Sequence, residues 1–169
     1  LEQQLDRMLE LFEQIIIEQK LDELIKKMEE MNNLQESITE KIEDDSSDNN
    51  IQAMVNRQDD NLENFIETMK ETEELINKTD EETATDINQL RNSTIPVDME
   101  MAMNNILNNK SRNKEDMKNN STNIEENIDD MMKEMDSIIS SYTKKENLEM
   151  LTKYIRIIKN LIDMSYEQE

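Results

Sequence analysis

The chain has 169 residues, of which 41 are acidic and 19 are basic, so its formal net charge at pH 7 is −22. It contains no Gly, Cys or His and a single Pro. Strands joined by tight turns need Gly and Pro, and the missing Cys and His exclude thiol catalysis and the usual zinc and di-iron sites. The lack of turn residues predicts an all-α chain. Because nucleic acids and anionic lipids bind proteins through clustered Lys and Arg, the negative charge predicts that the chain binds no nucleic acid.

The apolar content limits the core and argues against a membrane span. Hydrophobic residues make up 34% of the chain and aromatic residues 3%, which suits a thin seam between helices rather than a broad core. The longest aliphatic run, Ile15-Ile16-Ile17, is far shorter than the roughly 20 residues that span a bilayer. We expect no direct membrane insertion by this segment, and the start at Leu1, inside a helical pattern, suggests a piece of a longer polypeptide.

The first predicted helix covers about residues 1–43. Its apolar residues recur every three or four positions, with a skip in register between Ile17 and Lys20. They are Leu1, Leu5, Met8, Phe12, Ile15, Leu21, Leu24, Met28, Met31, Ile38 and Ile42. The short polar side chains from Asp44 to Asn50 favour turns and predict a linker there.

The second predicted helix covers about residues 51–91, and its seam is half polar. Its apolar positions are Ile51, Val55, Leu62, Phe65, Met69, Ile76, Ile87 and Leu90, interleaved with Gln58, Thr72, Thr79 and Thr83. Pro96 disfavours the helical conformation of Ile95 and lacks a backbone donor, so it ends this stretch and is expected in the first turn of the next helix.

The third predicted helix covers about residues 97–142, with a seam from Met99, Met103 and Ile106 through Met117 to Tyr142. Residues 104–123 are rich in Asn, a mediocre helix former, and we expect them to be the least stable section. Met residues at helical spacing are usually core filler. Met99, Met101 and Met103 are the best candidates for exposure because they occupy more than one face.

The fourth predicted helix covers about residues 145–167 and is basic. It carries two apolar seams, which predicts two packing faces and a position between acidic neighbours. One seam is Leu148, Leu151, Ile155, Ile158 and Ile162, and the other is Met150, Tyr154, Ile157, Leu161 and Met164.

These lengths favour an elongated antiparallel helical bundle of three long helices plus the shorter C-terminal helix. Loops of a few residues place consecutive helices antiparallel. The alternative is an extended coiled coil completed by other chains. Skipped heptads and polar seam positions weaken regular two-stranded pairing, so we favour the bundle.

No residue pattern points to chemistry, so we expect no catalytic residues, no cofactor and no metal site. Acidic groups such as Glu71, Glu73 and Glu74 are typical of solvated helix faces. The run from Asp44 to Asn50 alternates oxygen ligands like a calcium loop, but it lacks the Gly at the sixth place, and Val55 stands where the bidentate Glu belongs.

Seams without sites predict a non-enzymatic structural or protein-interaction segment, a spacer or scaffold. Its expected partners are other protein chains or other parts of the same polypeptide, and the sequence leaves its oligomeric state open. The alternative is an acidic cation-responsive or ligand-binding helical module, which the charge density suggests.

Two stretches carry a family resemblance: EQKLDELIKKMEE at residues 18–30 and IIKNLIDMSYEQE at residues 157–169. Both resemble parts of a DUF4175-like family of long, membrane-anchored bacterial helical proteins of unknown function. The resemblance implies that this segment belongs to the helical part of a larger, envelope-anchored protein, and it implies no chemistry.

Overall fold

The computed structural model describes residues 2–44, 48–108 and 113–167, and every regular element in these ranges is an α-helix. The expected all-α class is confirmed. The elements are α1 (Glu2–Asp44), α2 (Asp48–Ile76), α3 (Glu81–Arg91), α4 (Thr94–Leu107) and α5 (Lys114–Glu167). The first helix therefore matches its expected bounds. Residues 45–47 of the expected linker lie outside the described residues, and residues 48–50 are not a linker but the start of α2.

The helices pack side by side with neighbours in opposite directions. α1 packs against α2 and α5, and the α3–α4 pair packs against the same two helices. Lys27 Nζ lies 2.6 Å from Glu71 Oε1, while further along α1 the Ser37 hydroxyl accepts from Arg57, which lies earlier in α2. α1 and α2 are therefore antiparallel, as short connections favour.

One apolar core runs between these helices, and most of the predicted seam lies in it. In α1 the buried seam positions start at Leu21, and in α5 they run from Met117 to Tyr142. Met99 and Met103 are fully buried and only Met101 is exposed, so the expectation of exposure holds for one of the three. The buried seam residues are Leu21, Leu24, Met28, Met31, Ile38, Ile42, Phe65, Ile87, Leu90, Met99, Met103, Ile106, Met117, Ile124, Ile128, Met131, Met135, Ile138 and Tyr142.

The predicted helix over residues 51–91 is instead two helices. α2 ends at Ile76 and α3 begins at Glu81, with the extended residue Asp80 (φ −64°, ψ 164°) as its N-cap. Asp80 Oδ1 accepts hydrogen bonds from the backbone N–H groups of Glu82 at 3.0 Å and Thr83 at 3.3 Å. This cap satisfies backbone N–H donors in the first turn of α3. The spacing of seam positions alone does not reveal that a new helix starts here.

The next two expected boundaries also differ from the structure. α4 begins at Thr94 rather than at about residue 97, so Ile95 is helical although Pro96 was expected to disfavour that conformation. Buried Pro96 itself lies in the first turn of α4, as predicted. The expected helix over residues 97–142 is divided, because α4 ends at Leu107 and α5 begins at Lys114. The backbone N–H of Glu115 donates to Asn113 Oδ1 at 3.1 Å, which caps the start of α5.

The expected separate helix at about residues 145–167 is the continuation of α5. The chain around Tyr142 to Lys145 contains neither Pro nor Gly, and nothing there replaces the helical backbone hydrogen bonds. The resulting 54-residue helix is longer than the α3–α4 pair beside it. Part of α5 therefore continues past the end of the core.

Candidate interaction surface

An ion pair marks the end of the core near the start of α3. Lys145 Nζ lies 2.7 Å from Asp80 Oδ1 and 3.1 Å from Glu82 Oε2. Partial burial alone would raise the pKa of Asp80, but hydrogen bonds from Lys145 and Thr83 outweigh it and lower the pKa to about 2. Because Asp80 caps the first turn of α3, α5 beyond Lys145 extends past α3.

Tyr142 lies one helical turn before this ion pair and, among the side chains of α5 that are described, is the last one that is buried. Burial raises the pKa of its phenol to about 12, and the negative charges of Glu146, Glu18 and Asp80 act in the same direction. The phenol therefore stays neutral at physiological pH and packs as part of the core.

α1 and α5 are still in contact at the residue after Lys145. The side-chain amide of Gln14 donates to the carboxylate of Glu146. Burial, followed by the nearby charges of Glu149 and Asp80, raises the pKa of Glu146. We call residues 9–16 of α1 together with residues 147–158 of α5 the arm.

Exposed apolar side chains are concentrated on the arm. Among the described side chains, nine of the twelve large apolar residues that are exposed belong to it; the other three are Ile66, Val97 and Met101. The nine are Leu9, Phe12, Ile15, Ile16, Leu148, Leu151, Tyr154, Ile155 and Ile158. Exposed apolar side chains that are concentrated in one region of a folded chain, rather than scattered singly, mark an interaction surface.

On α1, three of these residues form a stripe on the side away from α5. Leu9, Phe12 and Ile16 follow each other at steps of three and four, so they share one helix face. At 100° per residue, that face lies opposite Gln14, whose side chain contacts α5. We call these three residues the α1 edge.

On α5, the corresponding stripe also points away from its neighbour. Leu148, Leu151, Ile155 and Ile158 lie opposite Glu146, which accepts from Gln14, and each side chain is at least 55% exposed. A shallow depression along α5, lined by Ser140, Thr143, Asn147 and others, leads onto Leu148 and Leu151. We call these four residues the α5 edge.

The exposure of the α5 edge shows that the role expected for the last helix was wrong. Its seam residues were expected to pack internally between acidic neighbours, yet the described members of that seam are exposed. The other seam is half-buried at Met150 and exposed at Tyr154, and the side chains of Ile157, Leu161, Ile162 and Met164 lie outside the described residues. The two apolar seams of this helix were the signal in the sequence that could have predicted this exposure. A single neighbouring helix covers only one face, so the second seam is left exposed.

The two edges differ in charge. Residues 9–18 contain the acids Glu10, Glu13 and Glu18 and no basic residue, which gives a formal charge of −3. Residues 147–159 contain the bases Lys153, Arg156 and Lys159 against one acid, Glu149, which gives +2. The arm is therefore acidic along α1 and basic along α5, in a chain whose overall charge is strongly negative.

Inside the core, a second feature stands out as a buried polar layer. Asn61 Nδ2 donates to Gln35 Oε1 at 2.9 Å, and Gln35 Nε2 donates to Ser121 Oγ at 2.6 Å. The Ser121 hydroxyl also lies 2.8 Å from Thr39 Oγ1. This layer joins α1, α2 and α5, and fully buried Gln58 lies one helical turn from Asn61.

Of this layer, only the burial of Gln58 was predicted from the sequence. Thr72 and Thr83 of the same half-polar seam are buried as predicted, whereas Thr79 is half-buried. The burial of Gln35, Asn61 and Ser121 was not predicted. Their helical spacing relative to flanking apolar residues, such as Met31, Gln35 and Ile38, is the signal that could have found them.

Two of the acidic groups expected on solvated helix faces, Glu71 and Glu73, form partly exposed ion pairs. Glu71 pairs with Lys27, and Glu73 pairs with Arg91 at 2.8 Å. Within the described ranges, no group of three or more acidic side chains is close enough to hold a metal ion. The calcium-like run at residues 44–50 includes residues outside those ranges.

Comparison of the chain with family models, curated proteins and solved structures gives no match. The resemblance at residues 18–30 and 157–169 therefore stays a prediction. None of the helices, over the part of the chain that is described, combines the length and the apolar character that a membrane span requires.

Proposed function

We propose that this chain is a non-enzymatic structural and protein-interaction module. In this proposal the packed core holds the arm in place, and the arm docks other helices through its α1 and α5 edges. The module then serves as a spacer or scaffold within a larger protein. The observation that carries the proposal is the concentration of exposed apolar side chains on the arm, on faces directed away from the chain's own helices.

Both edges of the arm are apolar helix faces that are exposed to water. An apolar helix face in water contributes nothing to folding until another surface covers it. The steps of three, four and three along the α5 edge match the spacing by which an amphipathic helix docks on a helical partner or groove. A helical partner would therefore gain the apolar burial that the arm's own helices leave unused.

Site-specific photo-crosslinking tests this proposal. A photoreactive residue is placed at Phe12 or at Leu151 of the full 169-residue chain and, as matched controls, at the exposed positions Glu126 and Asp129 of α5. In the cells that produce the protein, we expect adducts with polypeptide chains from the two edge positions and none from the controls. Adducts from all four positions alike, or from neither edge, would contradict the proposal.

A further inference from the structure

We propose that the partner of the arm is a second copy of this chain, bound head to tail: the α5 edge of one copy packs on the α1 edge of the next. This inference rests on the proposed function and names its partner. Both surfaces are present on one chain, so the contact can repeat from copy to copy.

Charge selects this pairing over the two symmetric ones. Pairing two α1 edges would bring together two acidic segments of formal charge −3, and pairing two α5 edges would bring together two basic segments of +2. Like charges along helix faces destabilise a contact, whereas opposite charges stabilise it and fix its register. Only the contact between an α1 edge and an α5 edge places Glu13 near residues such as Arg156.

The geometry of the arm makes the contact heterologous. Gln14 and Glu146 mark the inner sides on which α1 and α5 meet. Helical periodicity places the two edges roughly opposite these residues, on the two outer sides of the arm. One copy therefore cannot offer both edges to the same partner face, and the contact generates a ring or an open chain rather than a closed two-fold dimer.

The available surface sets the strength of the contact. The seven side chains of one contact, three from an α1 edge and four from an α5 edge, are each about half exposed and present on the order of 500 Å² of apolar surface. Stable interfaces bury about 1,600 Å² in total, and those below about 1,200 Å² are weak or transient. We therefore expect reversible association in the micromolar range or weaker.

Analytical ultracentrifugation of the full chain tests the inference with edge variants. The measurement is made at about 0.15 M ionic strength, where a Debye length of about 8 Å screens the rest of the acidic surface. One variant carries Phe12→Gln and Ile16→Gln in the α1 edge, and the other carries Leu151→Gln and Ile155→Gln in the α5 edge. Gln is neutral and a good helix former, and all four positions are exposed, so circular dichroism should show unchanged helicity.

The wild-type chain should gain mass with concentration and pass beyond two copies. Each variant alone should need at least a tenfold higher concentration to associate. A one-to-one mixture of the two variants should form a complex of two chains and no larger species, since only one intact contact can form. Ile66→Gln with Val97→Gln, at exposed positions outside the arm, is the matched control and should associate like the wild type.

Self-association of the α1-edge variant at wild-type strength would overturn the inference, because the α5 edges would then pair with each other. A wild-type chain that stays monomeric, while the crosslinks from Phe12 and Leu151 contain only other proteins, would overturn the inference and leave the proposed function standing.

Arg156→Glu with Lys159→Glu tests the charge argument without changing an apolar residue, and we expect this double substitution to weaken association about tenfold. Unchanged association in this variant would contradict the head-to-tail pairing.

Discussion

At the residue scale, Gln58 is a polar side chain whose burial costs stability. It is fully buried, and within the described part of the chain neither its Oε1 nor its Nε2 atom has a hydrogen-bond partner. Gln58→Leu keeps a similar volume and removes the cost of that burial, so we expect the free energy of unfolding to rise by about 1–2 kcal/mol. Urea unfolding, followed by circular dichroism, measures it.

Gln35→Leu is the matched control in the same buried layer. It removes one hydrogen-bond partner from each of Asn61 and Ser121, so we expect the free energy of unfolding to fall by about 1–3 kcal/mol. If both substitutions destabilised the chain equally, Gln58 would be hydrogen-bonded in solution and the prediction would be wrong.

Asp80 makes the stability of the folded chain depend on pH. Its folded pKa of about 2 lies below the ordinary value of 3.8, so its contribution to stability is complete above about pH 4 and is lost as the pH falls towards 2. Asp80→Asn keeps an N-cap but removes the charge that Lys145 binds. We expect a loss below about 1 kcal/mol at pH 7, since the pair is partly exposed, and a smaller difference from the wild type at pH 3.

Denaturant unfolding at several pH values measures this difference. Glu81→Gln is the control, because it removes a neighbouring negative charge and leaves the pair between Asp80 and Lys145 intact. A difference between Asp80→Asn and the wild type that stays constant from pH 7 to pH 2 would show that the ion pair contributes nothing.

At the scale of the element, α5 has two parts with different roles. Ile128 is fully buried in the core, whereas Ile155 is 58% exposed on the arm. Ile128→Asp places a charge in the core and should cost more than about 3 kcal/mol, enough to abolish cooperative folding. Ile155→Asp should change the free energy of unfolding by less than about 0.5 kcal/mol.

Thermal melting followed by circular dichroism compares these two variants directly. They carry the same substitution in the same helix, so intrinsic helix propensity cancels between them. Unfolding of the Ile155→Asp chain would mean that the last part of α5 packs internally, as the seam pattern had suggested.

At the scale of the whole molecule, the charge of −22 opposes the compact state. Raising the ionic strength to about 0.5 M shortens the range of this repulsion, and we expect the midpoint of thermal unfolding to rise by roughly 5 °C. Sodium and magnesium salts at equal ionic strength should act alike. A response to micromolar calcium that neither salt reproduces would instead favour the cation-responsive alternative.

Many apolar core positions could be predicted from the sequence, but the hydrogen-bond partners of the buried polar residues could not. The seam from Leu21 to Ile42 is buried as predicted because six apolar residues on one helix face leave few ways to avoid water. Asn61 and Ser121 were missed, because a polar residue is stable in a core only where another helix supplies its hydrogen-bond partner. That partner is distant in the sequence.

Helix ends, too, could be predicted where their cause is local and could not where it depends on a distant residue. Pro96 acts through its own ring and its missing donor, so its place in a first turn followed from the sequence. The break before Asp80 was missed, although Asp is a preferred cap, because the neighbouring Thr residues also fitted a continuous seam. Asp80 is also held by Lys145, 65 positions away, and no local pattern contains that contact.

The sequence by itself determined that this chain is helical, acidic and built around a thin apolar seam, since helix propensity, the lack of turn residues and apolar spacing all act locally. Only the tertiary structure decided which apolar stripes are covered. The stripe at Leu148, Leu151, Ile155 and Ile158 has the same spacing as a core seam, but α2, α3 and α4 end before they reach it. Burial depends on what lies opposite a helix face, and that is settled by the relative lengths of the packed helices.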